Sequence, residues 1–429
     1  MAIGSSPLYN MTQYVQEHTL LNRGMIDIGG CAVPHAIKSN NKTEACERLG
    51  MASLYFSLAI LTPYIFLPIF NKRALLKHGI VKDLKSQEKK IIQVSKEFLN
   101  KDSNKMIKGI KAKGKQLGCE KDFDNILDRF KDKESLRQKL IKAHGNILTK
   151  DYLSTAWMWC ATPYVVTEIT ERTTNRKGYS GSIGMKKDVQ LSDKDYQKQK
   201  HKKMIASALL ATVPSLLVPR MVTKAIKNPN HINKFMKTLN KKANLFDYGF
   251  EINMSKTIFA TVWGTTSLPS KIIAARDKDE RRDRALRESA LFGMYFTGDF
   301  LLNNVLGRVS DKIFNTKIID TDKANGKNLN FFQKFKLPLR NFREVEEKLV
   351  GETPKMINRT KNIGAGIYWA SLLGNMALIG FGLPTVLNKI LKSSIAKEAQ
   401  NKKIENKFEL HNATFDKIKS NKNIRAIAK

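Results

Sequence analysis

Cysteine, histidine and recognisable catalytic motifs are scarce in this chain. Its 429 residues include 4 cysteines and 7 histidines, and Cys31, Cys46, Cys119 and Cys160 form no Cys-x-x-Cys pair. A disulfide framework or a zinc site is therefore not expected. No His-Glu-x-x-His, Gly-x-Ser-x-Gly or Walker motif is present, so we predict no catalytic residue, no cofactor and no metal. An enzyme is the minority interpretation.

Acidic residues are also few, since 39 Asp and Glu stand against 75 Lys and Arg, a net charge of +36. The excess recurs in nearly every connection: residues 71–150 carry 22 basic and 10 acidic residues, whereas residues 1–50 carry 4 of each. Such charge attracts anionic lipid or nucleic acid. The alternative is compositional, because Lys, Asn and Ile are abundant in proteins encoded by AT-rich, bacterial-like genomes.

Six apolar segments interrupt this basic chain, although the mean hydropathy of the whole is only −0.36. They run over residues 52–70, 153–169, 204–222, 257–275, 289–306 and 363–387. Most approach the length of a membrane-crossing helix, and most contain a proline. We therefore predict an all-α, polytopic helical membrane protein with short proline-broken apolar helices and basic amphipathic helical connections.

The same pattern divides the chain into seven regions. These are an irregular neutral arm (1–50), apolar segment 1 (51–70), a basic amphipathic helical subdomain (71–150), apolar segments 2 to 5 with basic loops (151–306), a basic connection (307–362), apolar segment 6 (363–392) and a basic helical or disordered tail (393–429). The first twenty residues lack the charged and apolar regions of a secretory signal. We expect the first apolar segment to direct insertion into the cytoplasmic membrane, with the basic regions cytoplasmic.

The densest group of charges lies at residues 277–287. Asp277 with Arg281, Glu280 with Arg284, and Asp283 with Arg287 each place the acid four residues before the base, the favourable order on a helix. The pairs are expected to stabilise a helical hairpin at the membrane surface. The alternative makes Arg281, Arg284 and Arg287 contacts for anionic lipid or phosphate, because guanidinium groups bind phosphate bidentately.

A second candidate site lies within the apolar segments. Asp299 interrupts an apolar run, Asn303 follows one helical turn later, and Arg220 interrupts the third segment. Ionisable groups at membrane depth usually face a partner or a water-filled cavity, so we predict an intramembrane polar site with Asp299 paired to Arg220. Helix capping near a break, or a shallow membrane position, is the alternative.

Small residues mark candidate packing faces. Gly366, Ala370 and Gly374 recur at steps of four in the last segment, and Ser207, Ala211 and Ser215 do so in the third. This spacing is typical of close helix packing in membranes, and it predicts that these two helices lie at the centre of a bundle.

The glycine-rich stretch TTNRKGYSGSIGMKK lacks the ending of a phosphate-binding loop and is interpreted as a polar loop. Three functions stay open. The first is a membrane scaffold or lipid-organising protein whose partners are anionic membrane lipids, with a homo-oligomer allowed. The second is a transporter with a polar site at Asp299. The third is a soluble basic all-α nucleic-acid-binding protein, which leaves the apolar segments unexplained, so nucleic acid is disfavoured as a partner.

Overall fold

The structure is a computed structural model of the chain. It describes residues 6–18, 21–22, 24–61, 65–81, 94–116, 118, 120–130, 132–182, 192–228, 233–246, 256–321, 337, 339–340, 345, 349, 351–398, 400–401 and 404. Within these residues the protein is all-α, as predicted, and the β-structure described is a single isolated bridge between Ile319 and Leu339.

Thirteen α-helices are numbered below in chain order. They are α1 (Pro7–Glu17), α2 (Val33–Ile37), α3 (Lys42–Leu61), α4 (Leu67–Lys77), α5 (Ser103–Gln116), α6 (Glu120–Leu127), α7 (Lys133–Thr174), α8 (Asp193–Lys227), α9 (Lys234–Lys241), α10 (Lys256–Val262), α11 (Leu268–Ile273), α12 (Lys278–Phe314) and α13 (Pro354–Asn375). Three π-helical segments join them: π1 (Gly24–Ala32), π2 (Trp263–Ser267) and π3 (Met376–Gly382).

The two longest of these helices have defined ends. Helix α7 begins after Asp132, whose carboxylate accepts hydrogen bonds from the backbone N–H groups of Glu134 and Ser135, and it ends at Asn175 in the left-handed conformation (φ 54°). Helix α12 begins after Asp277 and ends at Asn315 (φ 49°). Side-chain oxygen at the start and a left-handed residue at the end satisfy backbone groups that the helix leaves free.

Helix α7 is the centre of the fold, because α3, α4 and α8 all pack along it. Its closest approach to α8 is at Gly145, where a Cβ would lie 2.6 Å from the hydroxyl oxygen of Thr223. The first half of α7 also closes the apolar core of the basic subdomain, in which Leu75, Met106 and Phe123 are fully buried. The described part of region 71–150 therefore has the amphipathic helical structure that its periodicity predicts.

The N-terminal region differs from its prediction. We expected an irregular arm over residues 1–50, but its described residues form α1, π1, α2 and the start of α3. The glycines that suggested a loop are packing positions: a Cβ on Gly380 would overlap the carbonyl oxygen of Gly30, and a Cβ on Gly30 would lie 2.6 Å from Met376. Glycine is needed there because π1 and π3 approach backbone to backbone.

Two described helices are long and apolar enough to cross a membrane, judged by length and composition alone. They are Asp193–Lys227, which is α8, and Pro354–Glu398, which combines α13, π3 and the helix that follows. They contain the third and sixth apolar segments. The other four segments do not meet this criterion in the described residues.

Candidate functional site: a cavity between an ion-pair network and an aromatic cluster

A cavity of about 270 Å³ lies where the three π segments meet α3 and α12. Gly30 of π1, Trp263 of π2 and Met376 of π3 all line it. A π turn widens the helix and disturbs its regular hydrogen bonds, and such turns occur frequently at functional sites. The convergence of three of them on one cavity makes it the first candidate for a binding site.

The lining of the cavity changes from charged to aromatic in the same direction along two helices. On α3 the lining begins with Glu44 and Glu47 and ends with Tyr55 and Phe56. On α12 it begins with Glu280 and continues through Arg287 to Leu291 and Tyr295. The cavity therefore has one charged end, at the start of both helices, and one aromatic end.

Glu280 is the centre of the charged end. Its carboxylate accepts hydrogen bonds from Nε of Arg276 at 3.0 Å and from Nη2 of Arg284 at 2.6 Å. Arg276 also donates to the carboxylate of Glu47 at 2.9 Å, which links α12 to α3. Glu280 and Arg276 are 2 % and 7 % exposed, so these are ion pairs of the protein interior. Such pairs withstand burial only when each charge has a partner.

A second set of ion pairs lies beside the first. Arg287 donates to Asp283 at 2.7 Å and to the amide oxygen of Asn388 at 3.1 Å. Arg48 pairs with Glu44 on its own helix and approaches Asp283 to 4.0 Å. We call the two sets together the ion-pair network: Glu44, Glu47, Arg48, Arg276, Glu280, Asp283, Arg284 and Arg287.

The loop after α7 covers this network. The hydroxyl of Tyr179 donates to Glu44 at 3.1 Å, the hydroxyl of Ser180 donates to Glu47, and the N–H of Tyr179 donates to Asp277 at 2.9 Å. All three contacts join residues far apart in the sequence. The loop therefore supplies neutral donors that complete the hydrogen bonding of buried carboxylates.

Two carboxyls of the network, those of Glu280 and Asp283, have a lowered pKa. Burial acts to raise the pKa of Glu280, but the charges of Arg276 and Arg284 hold that pKa at about 2. Burial acts in the same way on Asp283, and Arg287 likewise holds the pKa of that carboxyl below its usual value. Both carboxyls are therefore ionised at neutral pH, each beside an arginine that compensates its charge.

The aromatic end contains rings in edge-to-face and tilted contact. The ring of Phe259 lies 5.3 Å from Trp159 and 5.5 Å from both Trp263 and Tyr295. Between the two ends, the ammonium group of Lys271 lies 4.1 Å from the ring centre of Tyr55 and donates to Glu288 at 2.6 Å. Lys271 therefore already occupies the face of the Tyr55 ring that a second cation would need.

Cys31 and His35 also line the cavity, but they do not form a nucleophile and base. The Nε2 atom of His35 lies 2.9 Å from the carbonyl oxygen of Ile379, so it carries the proton and donates it. Burial lowers the pKa of His35 to about 3, and burial raises the pKa of the Cys31 thiol to about 12. At neutral pH the imidazole is therefore neutral and the thiol is protonated.

The structure brings part of the predicted arginine cluster into the cavity. The pairs Glu280–Arg284 and Asp283–Arg287 are confirmed, at 2.6 and 2.7 Å. Asp277 instead caps α12 and accepts from the N–H of Glu280, while Arg281 is exposed. Helix α3 and the loop at Tyr179 bury the two confirmed pairs inside the protein, and the hairpin at a membrane surface stays a prediction.

The predicted intramembrane site is not assembled by the described side chains. Arg220 is exposed on α8, and Asn303 is half-buried on α12. Asp299 lies on α12, but its side chain is outside the described residues. The Asp299–Arg220 pair therefore stays a prediction.

The two predicted packing faces differ from each other. Ser207, Ala211 and Ser215 are buried on α8. They face α7, where the hydroxyl of Tyr164 lies 2.8 Å from that of Ser207. In the last segment Ala370 is exposed, a Cβ on Gly366 would meet nothing within 4 Å, and one on Gly374 would lie 3.6 Å from Leu302.

Sequence reasoning missed the residues that complete the network from a distance. Glu44 and Glu47 lie in the region predicted as an irregular neutral arm, and Tyr179 and Ser180 lie in the stretch interpreted as a polar loop. The sequence offers one weak signal for this set: Glu44 and Glu47 are three residues apart on a helix that leads into an apolar segment. Among the described residues, no group of three or more His, Cys, Asp or Glu side chains is arranged to hold a metal.

Comparison with known proteins gives no relative: no family model, no curated protein and no solved structure matches the chain.

Proposed function

We propose that this chain is an integral membrane protein that organises lipid by holding one amphipathic, lipid-like molecule in its cavity. The observation that carries the proposal is the reversed polarity of α8. Its large apolar side chains face outward and its small and hydroxyl side chains face the protein. That arrangement suits hydrocarbon as the surrounding solvent.

The outward side of α8 is one continuous stripe. It consists of Ile205, Leu209, Val213, Leu217 and Met221, at steps of four residues, and their side chains are between 39 % and 58 % exposed. The apolar segment 204–222 that carries the stripe measures about 28 Å at 1.5 Å per residue, close to the thickness of a bilayer core. In water such a stripe would be an aggregation surface.

Basic residues flank the stripe at both ends. Lys198 and Lys202 precede it, Lys224 and Lys227 follow it, and all four are exposed. Lysines in these positions reach the headgroup regions at the two faces of a bilayer and attract anionic lipid. The helix over Pro354–Glu398 has a similar outer surface, with Leu373, Leu378 and Val386 exposed.

The cavity suits an amphipathic ligand. Its charged end lies at the start of α3 and α12, and the apolar segments of both helices begin after it, at residues 52 and 289. A molecule aligned with these helices would place a polar head by Arg284 and Lys271 and an apolar part among Trp159, Phe259 and Tyr295. This is the orientation that a lipid has in the bilayer around it.

Membrane fractionation and lipid analysis test the proposal together. We expect the protein to stay in the membrane after alkaline carbonate and high salt, and to carry one amphipathic molecule through purification in mild detergent, identified by native mass spectrometry. Release by salt alone would contradict membrane integration and favour the soluble nucleic-acid binder. Solute flux in reconstituted vesicles would favour the transporter.

A matched pair of variants tests the cavity. Ala52 lines it, so Ala52→Phe should fill it and remove the bound molecule. Ala370 is exposed on α13, so Ala370→Phe adds the same ring outside the cavity and should leave the bound molecule in place. Equal retention of the molecule by both variants would place its site elsewhere on the protein.

A further inference from the structure

Three buried side chains on α7 each have a polar atom without a hydrogen-bond partner in the described part of the chain. The atoms are Oδ1 of Asp151, Oγ1 of Thr155 and Nε1 of Trp159. Their residues are 1 %, 0 % and 4 % exposed. We call these three side chains the polar file.

The polar file is continuous and leads to the cavity. Its members are four residues apart, so each lies one turn above the last on neighbouring positions of the helix surface. The distance from first to last is about 12 Å along the helix axis. Trp159 at one end lines the cavity, and Asp151 at the other lies in the core of the fold.

Thr155, like Thr167, lacks the hydrogen bond that the other described threonines of this helix make to their own backbone. Thr149, Thr162 and Thr170 each donate to the carbonyl oxygen four residues earlier, at 2.8 to 3.0 Å. The hydroxyl of Thr155 makes no such bond. The hydroxyl of Thr155 can therefore form a hydrogen bond with a group outside its own helix.

Buried polar atoms are almost always hydrogen-bonded, either to protein or to ordered water. Leaving one such atom unpaired lowers the stability of the folded protein, and the penalties of three such atoms along one helix add up. A buried water typically makes about three hydrogen bonds, which matches the mixture of donors and acceptors in the polar file. Water is thus the partner whose hydrogen-bonding chemistry suits all three positions.

We propose that ordered water follows the polar file from the cavity to Asp151, and that Asp151 is a proton-binding site which exchanges its proton with the cavity through that water. The ligand is a proton carried by water, distinct from the amphipathic molecule proposed for the cavity. The inference uses only the position of the cavity, so it stands whether or not a lipid-like molecule binds there.

Among the residues that the structure describes, no opposite charge compensates Asp151. Asp151 lies two residues before the second apolar segment, and burial is the cause that raises the pKa of its carboxyl to about 7. The charged residues of the facing helices point to solvent: Lys72, Arg73 and Lys77 on α4, and Arg220, Lys224 and Lys227 on α8, are exposed. On α7 itself, the ammonium of Lys150 lies over the ring of Phe70 and the buried His144 bonds Ser95. On α3 Lys42 is exposed and the other charged side chains belong to the ion-pair network, and Lys271 of α11 pairs with Glu288.

Infrared difference spectroscopy of the full-length protein in detergent tests the site. We expect a carboxylic-acid carbonyl band that appears as the pH is lowered through neutrality, and that is absent in Asp151→Asn. A band that titrates only below pH 5, or that persists in Asp151→Asn, would overturn the proposal. If Asp151→Asn fails to fold, the wild-type titration midpoint still decides between these outcomes.

A pair of threonine variants tests the water path. Thr155→Val removes a hydroxyl of the polar file, whereas Thr162→Val removes a buried hydroxyl that bonds its own helix at Met158. After a jump into D₂O, the shift of the Asp151 carbonyl band should become several-fold slower in Thr155→Val and stay unchanged in Thr162→Val. Equal rates in both variants would contradict exchange along the polar file.

Discussion

Two regions of this molecule have opposite polarity. In the basic subdomain, Met106, Phe123 and Leu136 are buried while exposed lysines cover the outside. On α8, Leu209 and Leu217 are exposed while Ser207 and Ser215 are buried. The first arrangement is that of a protein in water, and the second suits hydrocarbon. Both regions use α7, so a single 42-residue helix connects the two regions.

Truncating a buried side chain of the basic subdomain should destabilise the protein far more than truncating an exposed side chain of α8. Phe123→Ala removes a ring that is 1 % exposed, and we expect a loss of about 3–5 kcal/mol in the free energy of unfolding. Leu209→Ala on the outside of α8 should cost less than about 0.5 kcal/mol in detergent. Denaturant unfolding followed by circular dichroism measures both. Similar losses would mean that α8 packs against protein along its outer side.

Breaking the ion-pair network should lower the free energy of unfolding nearly as much. Glu280→Gln leaves Arg276 and Arg284 with one buried anion fewer, and we expect a loss of about 3 kcal/mol in the same unfolding experiment. The control is Glu97→Gln, which breaks an exposed pair with Lys113 and should cost less than about 1 kcal/mol. A small effect of Glu280→Gln would show that water reaches the charged end of the cavity.

A lysine introduced into the apolar stripe tests the environment of α8. On insertion scales, Leu209→Lys should cost about 2.5–3.5 kcal/mol at the centre of a membrane helix, because the charge must be placed in hydrocarbon. Leu286→Lys is the control, since Leu286 is also exposed but lies among the charges at the start of α12. Membrane-inserted yield after expression is the measurement. Equal yields from both variants would mean that Leu209 faces water.

The sequence was sufficient for features set by local periodicity. The all-α class and the pairs Glu280–Arg284 and Asp283–Arg287 depend on spacings of three and four residues, and the structure confirms them. Such spacings are visible in a single sequence because they act within one helix.

The cavity could not be predicted in the same way, because it depends on contacts between distant parts of the chain. Tyr179 reaches Glu44 across 135 residues, and no local pattern encodes that contact. The π segments were equally hidden, since Gly29 and Gly30 are typical of turns in a sequence. The polar file was missed because its atoms are notable only for contacts they do not make within the described residues.

The smallest expected effect is a pH dependence that belongs to Asp151 alone. Its pKa of about 7 in the folded protein lies above the value of 3.8 expected in the unfolded chain, so the folded state binds more protons between these values. The stability that Asp151 contributes is therefore fully present at low pH and is lost as the pH rises through 7. His35 and His144 act in the opposite sense, because burial lowers the pKa of each to about 3 and folding then opposes their protonation below pH 6.5.

Those histidines are the same in Asp151→Asn, so the difference in stability between wild type and variant isolates the carboxyl. We expect that difference to move in favour of the wild type by about 1.4 kcal/mol for each unit by which the pH falls below 7. Paired unfolding curves between pH 5.5 and 8 measure it. A difference that does not vary with pH would mean that Asp151 is already ionised in the folded protein. Asp151 would then not be the proton-binding site at the end of the polar file.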